Sequence, residues 1–349
     1  MYKLGICAPY KRCETTLAAL RLADLGRELA MSVKLLAYGD AQSRVDYYWD
    51  TRVTRDKGNA VYQWARGCSH IVWFDGDEAK YSKAFLVSPA AKHWYIPMPH
   101  KLRESARIDA HQESKLICPS KQSKDSLPEM FSFRNSSWCL WDSGLDAVQS
   151  RRPESDDVRI YVPMSSHAID ETGILSLRAI SDVLKLFKNS MFTVECSKSW
   201  AKAGRSLLRD IKNEFGDRFS LSYGLSPVNH IKNMHQHDWT WIPSTRVNTG
   251  IVAQRSLACG TPVIVYNVSP HSEFIVEEQN GLLIECDIYS NWAGAPVAGP
   301  RFISVVNALS KAVVGDRELV SRCQRSLTTR EKKHTKQFRL FWAREWDVV

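Results

Sequence analysis

Residues 256–284 read SLACGTPVIVYNVSPHSEFIVEEQNGLLI. A Gly-Thr-Pro turn leads into the apolar run Val263–Tyr266, which predicts a buried strand. A polar segment with His271 and Glu273 follows, and an Asn280–Gly281 turn precedes a second apolar run. The stretch therefore predicts a helix that ends at Gly260, a buried strand, a polar loop at the carboxyl end of that strand, and another strand.

The same alternation of apolar runs and helix-period segments continues on both sides of this stretch. Predicted strands lie at 4–10, 31–39, 70–75, 92–99, 115–120, 158–164, 191–196, 219–224, 238–244 and 261–267. Predicted helices lie at 15–30, 172–188, 201–215, 228–234, 250–259, 302–314 and 317–346. A polar Arg/Pro/Ser/Asp run closes the segment 136–157 and predicts a linker. The pattern indicates two doubly wound, parallel-sheet α/β domains that face a cleft.

Composition excludes several classes of protein. The chain has 349 residues, of which 44% are hydrophobic and 24% charged, so a disordered chain is excluded. No apolar run is long enough to span a membrane, and the first residues lack the apolar core of a signal peptide. We therefore expect a cytoplasmic protein. Nine scattered cysteines without a C-x-x-C pair predict buried free thiols rather than disulfides or a zinc site.

The net charge of +9 is unevenly distributed. Lys and Arg outnumber Asp and Glu by 21 to 17 in residues 1–150 and by 8 to 3 in residues 320–349, whereas residues 151–319 are balanced at 18 to 18. A basic balance favours a polyanionic partner such as nucleic acid, an anionic membrane surface or a nucleotide phosphate. A basic surface that serves only solubility is the alternative.

The segment STRVNTG at 244–250 is a candidate phosphate site, because it joins a predicted strand to the start of a predicted helix. Free backbone N–H groups and the positive end of the helix dipole suit a phosphate there. The candidate residues are Asn248, Thr249 and Gly250. The alternative is an ordinary helix capped by Thr or Asn.

The order of motifs resembles the C-terminal half of retaining GT-B glycosyltransferases of the family-4 kind. The matching positions are Asp238, Pro243, Ser244, Ala258, Gly260, Pro262, Val263, Asn280, Gly281 and Leu283. In the first half, WDSGLD at 141–146 looks like the family's asparagine-glycine-x-aspartate turn, and KLICPSKQSKD at 115–125 is similar to its strand, serine and helix. The resemblance covers roughly residues 92–285 and implies a GT-B fold.

The resemblance implies three parts of the chain. Residues 1–150 would be the acceptor domain, 158–320 the nucleotide-sugar donor domain, and 321–349 a last helix that packs back on the first domain. It places a histidine near the reacting sugar, which makes His100 a candidate catalytic residue. Asp75 follows another strand and could bind an acceptor hydroxyl, although acidic turns are often only solvated. Further acceptor-side candidates are Tyr10, Lys11, Arg12 and Lys101.

Two departures from the family pattern concern the donor. The family's two acidic positions fall on Val247 and Arg255, and an arginine cannot accept hydrogen bonds from ribose hydroxyls. The Arg/Lys pair that grips the pyrophosphate is replaced by a loop in which Ser165, Ser166 and His167 are weaker donors. We therefore expect altered donor binding, with Arg255 adding charge. His271 and Glu273 would line the donor site, and Glu273 would replace the missing ribose carboxylate.

The sequence thus predicts a retaining glycosyltransferase that uses a nucleotide-sugar, a UDP-sugar by preference, with no metal and no bound cofactor. The pair His235 and His237 beside Asp238 has a spacing unsuited to metal ligands. The basic first domain and tail favour a polyanionic acceptor, namely a hydroxylated DNA base as in bacteriophage DNA glycosyltransferases, which would have to be flipped out of the duplex. The alternatives are a lipid-linked or polysaccharide acceptor at a membrane, and a non-catalytic nucleic-acid-binding protein on this scaffold. The sequence leaves the oligomeric state open.

Overall fold

In the computed structural model of the chain, the described residues are 2–9, 14–38, 51–53, 58–74, 91–97, 115–126, 135–145, 155–164, 171–196, 201–202, 204–223, 227–290, 296–315 and 317–348. They form two parallel sheets with helices between the strands. This architecture confirms the predicted class, an α/β protein of the GT-B type with two Rossmann-like sheets.

The first sheet has seven described strands, all parallel, in the order β3-β2-β1-β4-β5-β6-β7. Its strands are β1 (Lys3–Pro9), β2 (Ser32–Tyr38), β3 (Thr51–Val53), β4 (His70–Phe74), β5 (Lys92–Ile96), β6 (Lys115–Cys118) and β7 (Asn135–Trp138). The helices described between them are α1 (Glu14–Glu28), α2 (Gly58–Ala65) and α3 (Lys121–Ser126). The strand order changes direction between β1 and β4, and such a switch point opens a crevice at the carboxyl ends of the strands.

The second sheet has six described strands, also parallel, in the order β10-β9-β8-β11-β12-β13. Its strands are β8 (Val158–Pro163), β9 (Ser190–Cys196), β10 (Phe219–Tyr223), β11 (Trp239–Ile242), β12 (Val263–Tyr266) and β13 (Gly281–Ile284). Its helices are α4 (Glu171–Leu186), α5 (Arg205–Phe215), α6 (Pro227–Gln236), α7 (Ile251–Ala258), α8 (His271–Phe274) and α9 (Phe302–Val314). The switch point of this sheet lies between β8 and β11.

The last helix, α10 (Arg317–Glu345), brings the chain back to the first domain. Phe338 and Trp342 of this helix, and Trp346 directly after it, are almost fully buried and belong to the same core cluster as Leu4 and Trp141. The Trp342 ring lies edge-on to the Trp141 ring, with centroids 6.1 Å apart. The interleaved aromatic residues of the tail are therefore the core face of an amphipathic helix.

The short elements that were not predicted from the sequence are β3, α2, β7, α8 and an antiparallel hairpin of β14 (Cys286–Ser290) and β15 (Pro296–Pro300). Strand β7 lies in the segment that was predicted to be a linker. Its sequence, NSSW, has one large apolar residue, so no hydrophobic period marks it. Its pairing with β6 at the edge of the sheet is what makes it a strand.

All seven cysteines whose side chains are described are free thiols, as the sequence predicted. Burial raises the pKa of Cys118 and of Cys259 to about 12. Both side chains therefore remain protonated at neutral pH and act as small apolar groups in the core.

Candidate active site

The segments that follow the carboxyl ends of the two sheets contact each other. In the first domain, Glu14 opens the helix after β1 and Ser120 lies just after β6. In the second domain, the segment Asn248–Gly250 follows β11 and Ser269 follows β12. Hydrogen bonds join Glu14 to Asn248–Gly250, and Ser120 to Ser269. These contacts bring the ligand-binding edges of both sheets together.

The backbone of Asn248–Gly250 holds an anionic group. The amide N–H groups of Asn248 and Thr249 donate to the carboxylate of Glu14 at 3.2 and 2.8 Å, and the amide of Gly250 donates to the same carboxylate. The Thr249 hydroxyl adds a fourth hydrogen bond at 2.9 Å. These amides precede the first turn of α7, where the helix dipole also favours negative charge. We call this segment the amide nest.

The amide nest depends on two further features of its residues. Gly250 has a φ of +67°, and a Cβ atom built there would lie 2.9 Å from the ring of Phe274, so both the backbone and the space require glycine. The side chain of Asn248 is buried, and its Oδ1 atom has no hydrogen-bond partner among the residues that the structure describes. A buried carbonyl oxygen without a donor is costly in a folded protein, so this atom is a natural acceptor for a ligand group.

Glu273 of the second domain contacts the start of a helix in the first domain, as Glu14 of the first domain does in the second. The Glu273 carboxylate accepts hydrogen bonds from the backbone amides of Lys121 at 3.0 Å and Gln122 at 3.1 Å, which begin α3 in the first domain. The hydroxyl of Ser269 donates to the same carboxylate at 2.7 Å and lies 2.9 Å from the Ser120 hydroxyl. Each domain thus caps a helix of the other with a glutamate.

His271 and Arg255 are two further predicted donor residues that the structure describes. His271 is fully buried, and burial lowers its pKa to about 3, so the ring is neutral at physiological pH. It can donate one hydrogen bond to a ligand but cannot supply positive charge. Arg255 lies in the last turn of α7, about 7 Å further along the helix axis than Gly250. At the C-terminal end of the helix, its positive charge interacts favourably with the helix dipole.

The remaining predicted site residues lie outside the described part of the chain. They are the catalytic candidates His100 and Asp75, the acceptor candidates Tyr10, Lys11, Arg12 and Lys101, and the donor candidates Ser165, Ser166 and His167. Their roles stay predictions. Of the predicted donor residues that are described, Asn248, Thr249 and Gly250 lie together, and His271 is linked to them through Phe274.

Glu14 was missed by the sequence reasoning, although it makes the largest number of hydrogen bonds to the amide nest. An acidic residue in the first turn of a helix normally interacts with the dipole of its own helix, so the position gives no sign of a partner 235 residues away. Ser120 carried a signal, because it is the serine of the strand-serine-helix resemblance at 115–125.

Within the described residues, no group of three or more His, Cys, Asp or Glu side chains could hold a metal ion. His237 instead bonds to the Asn233 carbonyl and the Thr193 hydroxyl, and Asp238 accepts a hydrogen bond from the Arg159 amide. Of the helices in the described ranges, none is long and apolar enough to cross a membrane.

Comparison with known proteins agrees with this geometry. The sequence profile of the family described as Glycosyl transferases group 1 matches residues 212–294, which include the amide nest, α7 and Glu273. No relative was found among curated protein sequences. The fold is similar to that of several solved structures with only 10–11% sequence identity.

Three of these structures span nearly the whole chain. Sucrose-phosphate synthase from Thermosynechococcus elongatus has 11% identity and a TM-score of 0.70, covering 99% of this chain and 98% of its own. The Anabaena protein HepE, solved with UDP and glucose, has 11% identity and a TM-score of 0.70 with 100% of both chains covered. The pneumococcal O-GlcNAc transferase GtfA, solved with UDP and GlcNAc, has 10% identity and a TM-score of 0.67, covering 99% and 98%. The chain therefore has the fold of these GT-B proteins, and its residues 212–294 match the group 1 glycosyl transferase family.

Proposed function

We propose that this enzyme takes a sugar from a UDP-sugar and transfers it, with retention of anomeric configuration, to a hydroxyl group on a base of DNA. The observation that carries the donor part is the amide nest, where three backbone amides and the Thr249 hydroxyl converge on one carboxylate. A donor phosphate offers the same kind of acceptor oxygens with more charge, so it fits the same donors.

The donor phosphate takes the place of the Glu14 carboxylate in this proposal. Two anions cannot share the same three amides, so Glu14 must leave when the donor binds. As the bond between the sugar and the phosphate breaks, negative charge grows on the leaving UDP, and the fixed amides stabilise that charge without reorganising. Arg255 lies at the other end of α7, so the backbone carries most of this interaction.

Three of the predicted side chains complete the donor site in this proposal. Ser165, Ser166 and His167 follow β8, which lies beside β11 at the switch point of the second sheet. They would donate further hydrogen bonds to the phosphate groups. His100, with Asp75, would orient the sugar and the acceptor hydroxyl. The UDP found in HepE and in GtfA supports the choice of nucleotide.

The choice of acceptor rests on charge. Residues 1–150 and 320–349 carry an excess of four and five positive charges, from 21 against 17 and from 8 against 3, and both segments lie on the first-domain side. A polyanion is attracted to such a surface, and DNA is the polyanion with hydroxylated bases. Retention follows from the family-4 resemblance, and it is tested by the anomeric configuration of the product.

A transfer assay tests the proposal. The protein is incubated with a panel of nucleotide-sugars and hydroxymethylated duplex DNA, and the mass of the DNA is then measured by mass spectrometry. We expect a gain of one hexose or pentose with a UDP-sugar, and no gain with unmodified DNA. No product with any donor, on hydroxymethylated DNA or on a lipid or polysaccharide acceptor, would refute sugar transfer. Product on a lipid or polysaccharide acceptor alone would refute the DNA acceptor.

A pair of glycine variants tests the donor site. Gly250→Ala places a methyl group against Phe274 and distorts the amide nest, whereas Gly216→Ala adds a methyl group at another glycine of positive φ, where no atom lies within 4 Å. We expect Gly250→Ala to lose at least about tenfold in transfer or UDP-sugar hydrolysis, because the amides stabilise the leaving group. Gly216→Ala should keep its activity. Equal activity of the two variants would contradict a donor phosphate at the amide nest.

A further inference from the structure

The outward face of α10 is a surface of exposed positive charge. Among the side chains of α10 that the structure describes, six basic ones are exposed: Arg325, Lys332, Lys333, Lys336, Arg339 and Arg344. Among the side chains that the structure describes, none of these six forms an ion pair. The only acidic side chain described on α10, Glu345, turns inward to Lys115 at 2.6 Å and the Trp94 indole N–H at 3.0 Å. The described side chains of α10 therefore present basic groups to solvent without an ion-pair partner among the described residues.

The arrangement of these charges is unfavourable for the isolated protein. Lys332, Lys336 and Arg339 are spaced i, i+4 and i+7, which places them on one side of the helix. Like charges at this spacing destabilise a helix by a few tenths of a kcal/mol per pair. The helix dipole offsets the repulsion between like charges only in the last turn of the helix. Of the six basic residues, Arg344 lies in that turn. The cost disappears if a polyanion lies along this face.

The buried aromatic residues of α10 argue against two other partners, a lipid bilayer and a single-stranded nucleic acid. Phe338 and Trp342 of the helix, with Trp346 directly after it, are at most 1% exposed, so they cannot enter a lipid bilayer as a membrane-surface helix requires. Leu340 is the one large apolar side chain of α10 that is both described and exposed. A single-stranded nucleic acid is usually held by exposed aromatic rings, and the described aromatic side chains of α10 are buried or half-buried.

The surface also lies close to the candidate active site. His334, the neighbour of Lys333, is 3.2 Å from the Gln254 side chain on α7, and its ring packs near that of Phe274. Phe274 in turn lies against Gly250 of the amide nest. The row from Arg325 to Arg344 is about 28 Å long. A duplex carries one phosphate charge per roughly 1.7 Å of its axis, so many phosphates can face this row.

We propose that the outward face of α10 binds the phosphate backbone of a duplex nucleic acid without reading its sequence. This binding would bring the DNA acceptor of the proposed function to the enzyme, so its biological role rests on that proposed function. It does not require sugar transfer, because the contacts are to phosphates and not to the modified base. The face holds the duplex while a base is presented to the site.

Two triple variants with the same charge change test this binding. Lys332→Gln, Lys336→Gln and Arg339→Gln remove three charges from α10. Lys202→Gln, Arg205→Gln and Arg209→Gln remove three exposed charges from the second domain and serve as the control. Binding of a fluorescent duplex is measured by anisotropy over a range of salt concentrations. UDP-dependent thermal stabilisation is measured on both triples as an independent check of folding and of the donor site.

The expected result is specific to α10. Each lost phosphate contact lowers the slope of log K against log salt by about 0.9, so the α10 triple should lose about 2 to 3 in slope and at least tenfold in affinity. The control triple should bind like wild type, and a single strand of the same sequence should bind more weakly than the duplex. Equal losses in both triples, tighter binding of the single strand, or no duplex binding by wild type would each overturn the proposal.

Two further outcomes distinguish this proposal from membrane binding and from the proposed sugar transfer to DNA. If the α10 triple loses binding to phosphatidylserine vesicles but keeps duplex binding, the partner is a membrane and the proposal fails. If wild type binds duplex through α10 but transfers no sugar to any DNA, the DNA acceptor is wrong while the binding surface stands. UDP stabilisation that is unchanged in the α10 triple would assign a loss of duplex binding to the surface itself.

Discussion

Glu14 shows how one side chain can occupy a ligand position in a folded protein. Its carboxylate accepts three backbone N–H bonds and one hydroxyl bond from the second domain. Hydrogen bonds to a charged acceptor contribute more than neutral ones. Glu14 therefore stabilises the amide nest, and under the proposed function it would compete with a donor phosphate.

Replacing Glu14 by Gln should tighten UDP binding. The variant keeps a carbonyl acceptor but loses the charge, so its hydrogen bonds to the amides are weaker by about 1 kcal/mol. UDP therefore displaces the side chain at a lower cost, and its affinity should rise roughly fivefold. Isothermal titration calorimetry with UDP measures the change. Asp24→Asn removes an exposed carboxylate from the same helix and is the control. Unchanged or weaker UDP binding in Glu14→Gln would contradict the competition.

His271 should make stability depend on pH. Its pKa is about 3 in the folded state because of burial, against an ordinary value of 6.5. A lowered pKa means that the unfolded chain binds the proton first, so the stability due to His271 is complete above pH 6.5. It is lost progressively as the pH falls toward 3, by about 1.4 kcal/mol per pH unit.

The variant His271→Asn separates this effect from other titrating groups. At pH 7 it should be less stable than wild type, because it loses the packing against Phe274. At pH 4.5 the gap between variant and wild type should shrink, since only wild type has to exclude the proton from a buried imidazole. Urea unfolding at both pH values measures the gap. A gap of the same size at both would rule out the proposed titration.

At the scale of elements, α7 and α10 illustrate two ways in which a helix is specified. The helix α7 has only eight residues, and its ends are set by local chemistry. Gly260, with a φ of +72°, ends it, and the Thr261 amide then bonds to the Ser256 carbonyl. The helix α10 is 29 residues long, and its position is set by aromatic residues that fill the first-domain core.

Truncating one of these aromatic residues should loosen α10. Trp342 is fully buried and contacts the rings of Trp141, Phe338 and Trp346. Trp342→Ala should lower the free energy of unfolding of the first domain by about 3 to 5 kcal/mol, through lost apolar burial and the cavity that remains. Leu340→Ala, on the exposed side, should cost less than about 1 kcal/mol. Chemical denaturation followed by tryptophan fluorescence compares the two, and similar losses would contradict the packing described for α10.

At the scale of the whole molecule, the two domains are joined by reciprocal caps. Glu14 of the first domain caps α7 of the second, and Glu273 of the second caps α3 of the first. Ile251, the first residue of α7, also belongs to the first-domain core cluster. The amide nest therefore lies at the junction of the two domains, so under the proposed function donor binding would be coupled to how the domains are held together.

Removing both caps should open the junction. In Glu14→Gln with Glu273→Gln, the charged acceptors of both helix starts are lost, so the closed arrangement is weakened by on the order of 1 to 3 kcal/mol. Small-angle scattering should give a larger radius of gyration than wild type. Hydrogen exchange should be faster at 121–123 and 248–251. Asp24→Asn with Glu285→Gln, two exposed carboxylates elsewhere, should leave both quantities unchanged. A double cap variant with wild-type scattering and exchange would show that the caps do not hold the domains.

The sequence by itself determined the parallel strands, the two-sheet architecture, the end of α7 near Gly260 and the helix start at Asn248–Gly250, whose amides can bind an anion. These depend on local signals, namely apolar periodicity, glycine conformation and the polarity of a helix start. Only the tertiary structure decided that Glu14 lies on the amide nest, that Glu273 faces α3, and that the six exposed basic side chains of α10 form no ion pair among the described residues. The physical reason is distance along the chain. A hydrogen bond between residues 235 positions apart leaves no periodic trace in the sequence, because it forms only after both cores have packed.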